Sequence, residues 1–205
     1  VFNLEEKLAE ATENTPEPEK NLELPNPTGQ YIIWRFLKDV FSVIILAVII
    51  ALLLKTFVLD SRIIPTGSMI PTINAGDRVI FLKLPYKLGK MPARSDVMVF
   101  FSEEELIKDD DIIKRVIGLP GDTVAIIDGV VYINGEVLSE PYVNERRKKD
   151  FAQVSVPAEC CFMMGDNRNH SYDSTMWEYP FVPFSAIKGR VWLRYWPIKH
   201  FGLVK

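Results

Sequence analysis

From Val40 to Leu54 the chain carries no charge and is almost wholly aliphatic, and beyond Lys55 the apolar text resumes at Thr56-Phe57-Val58-Leu59. Together these make about 20 residues, the length a helix needs to cross roughly 30 Å of hydrocarbon. A helix of this composition has no polar face to offer water, so a protein core or lipid must cover it. Lys55, near one end, can extend its amine toward headgroups. A cleavable signal peptide would have a shorter apolar run and a small-x-small site after it, and the sequence shows neither. The reading is one uncleaved transmembrane anchor over residues 36–59. Charge does not orient it, because Arg35 and Lys38 before the run are matched by Lys55 and Arg62 after it.

The flanks differ sharply. Residues 1–30 are acidic and Pro-rich (Pro16, Pro18, Pro25, Pro27), with too few apolar side chains for a core, so a mobile tail is expected. Residues 60–205 read as one mostly antiparallel β domain. Asp77–Leu82 and Asp96–Phe101 are β-branched and aromatic runs punctuated by Gly76, Pro85 and Pro92. Val130–Ile133 lies between Asp128-Gly129 and Asn134-Gly135, a strong hairpin signal, within an insertion expected at about 123–160. Further strands are expected at Cys161–Met164 and Gly189–Trp196. The predicted fold class is therefore mostly β, a single N-terminal transmembrane helix followed by a β-rich domain.

Several functions are disfavoured. A net charge of −3 gives no footing for nucleic acid. The two histidines, His170 and His200, supply zinc poorly, and the adjacent cysteines Cys160 and Cys161 do not suit a disulfide and read as small buried apolar side chains. Glu103–Glu105 and Asp109–Asp111 lack the spacing of a calcium loop. No metal and no cofactor are expected. The basic cluster Arg146–Lys149 reads as a solvated loop or a contact for anionic headgroups.

Directly after the apolar run comes Pro65-Thr66-Gly67-Ser68-Met69-Ile70-Pro71-Thr72. Two prolines bracket it and Gly67 is expected to free the backbone, so it reads as a held, non-helical loop presenting Ser68. A linker turn is the plain alternative. A nucleophilic serine needs a base. His170 lies close in sequence to Asp166 and Asp173, which leaves a Ser-His-Asp arrangement open. The other option is a lysine whose burial frees its amine at neutral pH. Lys114, in Asp111-Ile112-Ile113-Lys114-Arg115-Val116-Ile117-Gly118, suits that role if its face of the strand points inward. The converse, Arg115 inward and paired with Lys114 in solvent, also stays open.

Taken in order behind the span, the Ser68 loop, Gly76-Asp77-Arg78-Val79, Lys114–Asp122 and Gly165-Asp166-Asn167-Arg168 with Ser171, Asp173 and Ser174 resemble the boxes of the bacterial type I signal peptidases. The resemblance covers the chain from the span onward. It implies a membrane-anchored Ser–Lys endopeptidase that removes signal peptides from exported preproteins carrying Ala-x-Ala before the cut. Ser68 would be the nucleophile and Lys114 the general base. Thr66 and the Ser68 N–H would form the oxyanion hole, and Ser171 would hydrogen-bond the lysine amine. Asp166, Arg168 and Asp173 would support the last loop, Arg115 helping to hold it. The resemblance further implies one span in the plasma membrane, an N-terminus in the cytoplasm and a catalytic domain outside it. Trp192, Tyr195 and Trp196 would suit the lipid interface. The sequence departs from the family pattern at His170, Thr175 and Glu178. An organellar inner-membrane processing peptidase, or a silent membrane-anchored β domain that binds exported proteins, is the alternative.

Overall fold

The computed structural model describes residues 29–101 and 111–204. Residues 1–28 of the expected tail and most of the acidic insert lie outside the described residues. Two compact units are present, one ending at Ala47 and the other beginning at Val48. Helix α1, Gly29–Leu53, has no buried residue, and a π-helical turn, Leu54–Val58, continues it. It starts ahead of residue 36 because Tyr31, Trp34 and Phe36 extend the apolar text past the interspersed Arg35 and Lys38. Gly29–Val58 is long and apolar enough to cross a membrane.

The remainder is β-rich. Its strands are β1 (Leu59–Ile63), β2 (Arg78–Leu82), β3 (Val97–Phe101), β4 (Asp111–Gly118), β5 (Thr123–Ile127) and β6 (Val130–Ile133). There follow β7 (Glu136–Val137), β8 (Phe151–Ser155), β9 (Cys160–Met164), β10 (Val182–Pro183), β11 (Ile187–Trp196) and β12 (Gly202–Leu203). A short helix α2, Leu84–Lys87, joins β2 to β3. The larger sheet runs β1-β2-β11-β3-β4-β9-β10, with β12 on β11, and the smaller runs β7-β6-β5-β8. Every ladder in both is antiparallel. In the smaller sheet Asp128-Gly129 and Asn134-Gly135 all take positive φ, the type I′ geometry whose twist matches the flanking strands.

Strand β4 is the spine of the site. It pairs with β3 through Met98↔Lys114 and Val97↔Arg115, and with β9 through Arg115↔Met164. Seven of its eight residues, Ile112 to Gly118, are buried. Val99 and Ile113 pack with Met69, Ile73 and Phe81, while Phe100, Ile112 and Val116 pack with Met163 and Trp177. Both faces of β4 are therefore covered, and the choice between Lys114 inward and Arg115 inward does not arise: both are.

Strand β11 lies between β2 and β3, pairing Arg190 with Leu82 on one side and shifting register against β3 next to Gly189 on the other. A Cβ there would stand 2.2 Å from the Leu82 carbonyl oxygen, which is backbone and cannot swing aside. Gly189→Ala should lower the thermal midpoint by several degrees, as a clash of about 2 kcal/mol implies. At Gly202 a Cβ meets nothing within 4 Å, so Gly202→Ala should leave the melting curve in place.

Candidate active site

Ser68 sits on a loop closed at its neck by two backbone hydrogen bonds, Gly76 N–H to Ile64 O at 2.8 Å and Ile64 N–H to Asp77 O at 2.9 Å. Ile64, Met69 and Ile73 bury their side chains beneath it. These three anchors leave the residues between them no freedom to extend, which is why the loop is held. Pro71 follows a cis peptide bond. Gly67 lies outside the left-handed region; the positive-φ glycine of this loop is Gly76, at its far end.

Ser68 is 7% exposed and Lys114 5%. The Lys114 Nζ donates to Ser68 Oγ at 2.8 Å. Burial pushes the lysine down to about 8, against the opposing pull of the Asp173 and Asp166 carboxylates. Those carboxylates are otherwise occupied. Asp173 accepts from the Gly165 N–H and from the Thr175 N–H and hydroxyl. Asp166 accepts from Arg115 and Thr72. Thr66 Oγ1 donates toward Ser68 Oγ at 3.4 Å, a long bond.

The hydrogen bond expected from Ser171 to the lysine amine is not formed. Ser171 Oγ is buried with no partner among the described residues. The hydroxyl lies over Gly165, where a Cβ would stand 2.3 Å from it and 2.5 Å from the Ser68 carbonyl oxygen. Continuing the β4–β9 register one step past Arg115↔Met164 sets Gly165 beside Lys114. A side chain at Gly165 would thus push the serine loop and the last motif apart.

Arg115 and Asp166 form a bidentate ion pair at 2.8 and 2.6 Å, fully buried. Thr72 Oγ1 donates to the same carboxylate at 2.5 Å, and Arg115 also donates to Ser95 O. The pair ties β4, the serine loop and the last motif together. Removing one partner of such a pair costs about 3–5 kcal/mol, because the other is left charged and dry. Arg168 does not join through Arg115; it makes a second bidentate pair, with Glu140, and donates to Gly165 O. Tyr142 lies against the Arg115 guanidinium, 3.9 Å from ring centroid to carbon. His170 is exposed, 3.2 Å from Asn167 Oδ1, so no Ser-His-Asp chain is assembled. Thr175 caps Asp173, and Glu178 is exposed.

Sequence reasoning missed Thr72 as a ligand of Asp166, and also Glu140, Tyr142 and Asn167. The first was visible as a hydroxyl within the motif. Glu140 and Tyr142 had no signal, since only the fold brings them to Arg168 and Arg115. Among the described residues no group of three or more His, Cys, Asp or Glu side chains could hold a metal ion. Cys160 and Cys161 are buried and free.

A family model described as signal peptidase, peptidase S26, matches residues 37–196. The probable signal peptidase I-2 of Synechocystis sp. is 42% identical over 161 residues, 77% of this chain and 72% of that protein. The signal peptidase I of Leptolyngbya laminosa is 42% identical over 162 residues, 77% of this chain and 78% of that one. For the signal peptidase I of Bacillus caldolyticus the identity is 36% over 170 residues, 76% and 90% of the two chains.

A lysine held at about 8 instead of 10.5 weakens the fold at neutral pH. Its folded-state pKa is the lower one, so the unfolded chain binds the extra proton and stability rises with pH between the two values. Below pH 8 the cost is about 3 kcal/mol. Lys114→Met should therefore melt higher than the parent at pH 7, and the gap should shrink as pH rises toward 10.5.

Proposed function

The chain belongs to the signal peptidase family, peptidase S26, and on that footing we propose how its residues divide the work. As a member it is a serine endopeptidase that removes signal peptides from exported proteins, with a Ser–Lys dyad. We assign the nucleophile to Ser68 and the general base to Lys114. The observation that carries the assignment is the 2.8 Å hydrogen bond between two nearly buried side chains. At its ordinary value of 10.5 the amine would be neutral in well under one molecule per thousand at pH 7; at about 8 it is neutral in about a tenth. Burial thus multiplies the usable base several hundredfold.

The proton of Ser68 Oγ passes to the neutral amine as the oxygen attacks the scissile carbonyl carbon. The resulting oxyanion is held by the Ser68 N–H and the Thr66 hydroxyl. The ammonium then protonates the leaving amine, and the signal peptide stays on Ser68 as an ester. Water, deprotonated by the same lysine, releases it. Once Ser68 is acylated the amine needs another partner. The unpartnered Ser171 hydroxyl beside Gly165 is the group suited to take it, since a buried hydroxyl left unpaired costs about 1–3 kcal/mol. Arg115, Asp166, Arg168 and Asp173 hold the surrounding backbone.

The substrate end before the cut is proposed to carry small residues at its first and third positions and to lie as an added strand. Gly29–Val58 is proposed as the anchor in the plasma membrane, its N-terminal end cytoplasmic and the β domain outside, with lipid as a standing partner and no role for nucleic acid. Trp192 and Trp196 are about half exposed, which suits contact with the bilayer interface.

The test is cleavage of a preprotein by the purified chain, followed by N-terminal sequencing of the product. Ser68→Ala should abolish cleavage while the melting curve persists. For the parent, kcat/KM should rise with pH to half its plateau at about 8. Lys114→Arg, whose guanidinium stays charged, should be inactive throughout. Thr66→Val keeps the shape but removes the donor, and should lower kcat by about 10²–10³. Substantial cleavage by the arginine variant would remove Lys114 from the role.

A further inference from the structure

Asn167 lies just past β9 and places two donors on consecutive carbonyls of the serine loop. Its backbone N–H donates to Ser68 O at 3.0 Å, and its side-chain Nδ2 donates to Gly67 O at 3.0 Å. The Gly67 carbonyl and the Ser68 N–H are opposite ends of one planar peptide unit, so they point in opposite directions. Whatever fixes the carbonyl aims the N–H. The Ile70 N–H also reaches Gly67 O, at 3.2 Å, but it belongs to the same loop and moves with it. Asn167 reaches it from outside the loop.

The orientation of that amide is itself determined. Gly67 O can only accept, so Asn167 turns its NH₂ toward it and its Oδ1 away. Oδ1 then faces His170 Nδ1 at 3.2 Å. An amide oxygen also only accepts, so Nδ1 carries the hydrogen. This bond resists rotation of the Asn167 side chain away from the serine loop.

We propose that Asn167 is a positioning residue for the oxyanion hole: its amide sets the tilt of the peptide between Gly67 and Ser68, and His170 holds that amide in register. This rests on the reading of Ser68 as nucleophile and its N–H as an oxyanion donor. A residue acting in this way matters most when negative charge develops on the carbonyl oxygen and little when substrate merely binds. A residue that only stabilises the loop would affect both alike.

The experiment uses the full chain in detergent micelles with two peptides ending in the same Ala-x-Ala residues. One carries an aldehyde in place of the last carboxyl, and the other is the plain carboxylate product. Ser68 Oγ adds to the aldehyde carbon, its proton passes to Lys114, and the former carbonyl oxygen takes the oxyanion place. Asn167→Ala should weaken aldehyde binding and lower kcat by about tenfold, short of the loss on deleting a donor outright, with KM and product-peptide affinity within about twofold. His170→Ala, a change at an exposed side chain, should shift the same pair of quantities by less, and His170→Asn, which restores an N–H donor, should recover part of the loss. Equal weakening of aldehyde and product in either alanine variant, or weakening of neither, would overturn the inference. Ser68→Ala separates the two levels. Undiminished aldehyde binding by that variant would overturn the nucleophile assignment itself, whereas binding that needs Ser68 but ignores Asn167 and His170 overturns only this inference.

Discussion

Holding a lysine amine out of water against a serine hydroxyl is costly, and the surrounding structure is arranged so that the cost is met elsewhere. Lys114 sits on a strand whose two faces are both covered. Ile112 and Val116, on its own face, give it apolar neighbours. Two carboxylates close enough to pull the amine back toward its charged form are drawn off by other donors: Asp166 by Arg115 and Thr72, Asp173 by Gly165 and Thr175. Neither hydrogen-bonds the amine directly, whose bond goes to Ser68. Both carboxylates still pull the amine toward its charged form, and burial outweighs them.

The Arg115–Asp166 pair holds the loops together. Arg115 follows Lys114 in the chain and so projects from the opposite face of β4. From there it reaches the last motif through Asp166 and the serine loop through Thr72. Adjacent residues of one strand thus fix the chemistry on one side and the geometry on the other. Gly165 completes the arrangement by absence, since any side chain there would meet the Ser68 carbonyl. The second ion pair, Arg168 with Glu140, links the last motif to the chain that follows the smaller sheet's hairpins.

Much of this was legible in the sequence, for identifiable reasons. Asp-Gly and Asn-Gly announce hairpins because few other pairs tolerate two consecutive positive φ values, and both turns have them. The long apolar run announces a helix because a helix satisfies every interior backbone group within its own segment. Strand β4 was ambiguous because alternation can rank two faces only when one of them is wet. The left-handed position of the serine loop is Gly76, beyond the two prolines that bracket the motif. Glu140 and Tyr142 could not have been found, since nothing local distinguishes them from other residues of a polar loop. The Ser171 bond to lysine, implied by resemblance, fails in this structure because the hydroxyl lies over Gly165 and the amine is engaged by Ser68.

The central claim is that burial alone brings one lysine into the neutral range beside Ser68. It is tested most directly by titrating the chain with ¹³Cε-labelled lysine in micelles and following the resonance that Lys114→Arg removes. The account predicts that this resonance titrates at about 8, well below the 10.5 of an unperturbed lysine side chain. A Lys114 resonance that titrates near 10.5 would contradict it.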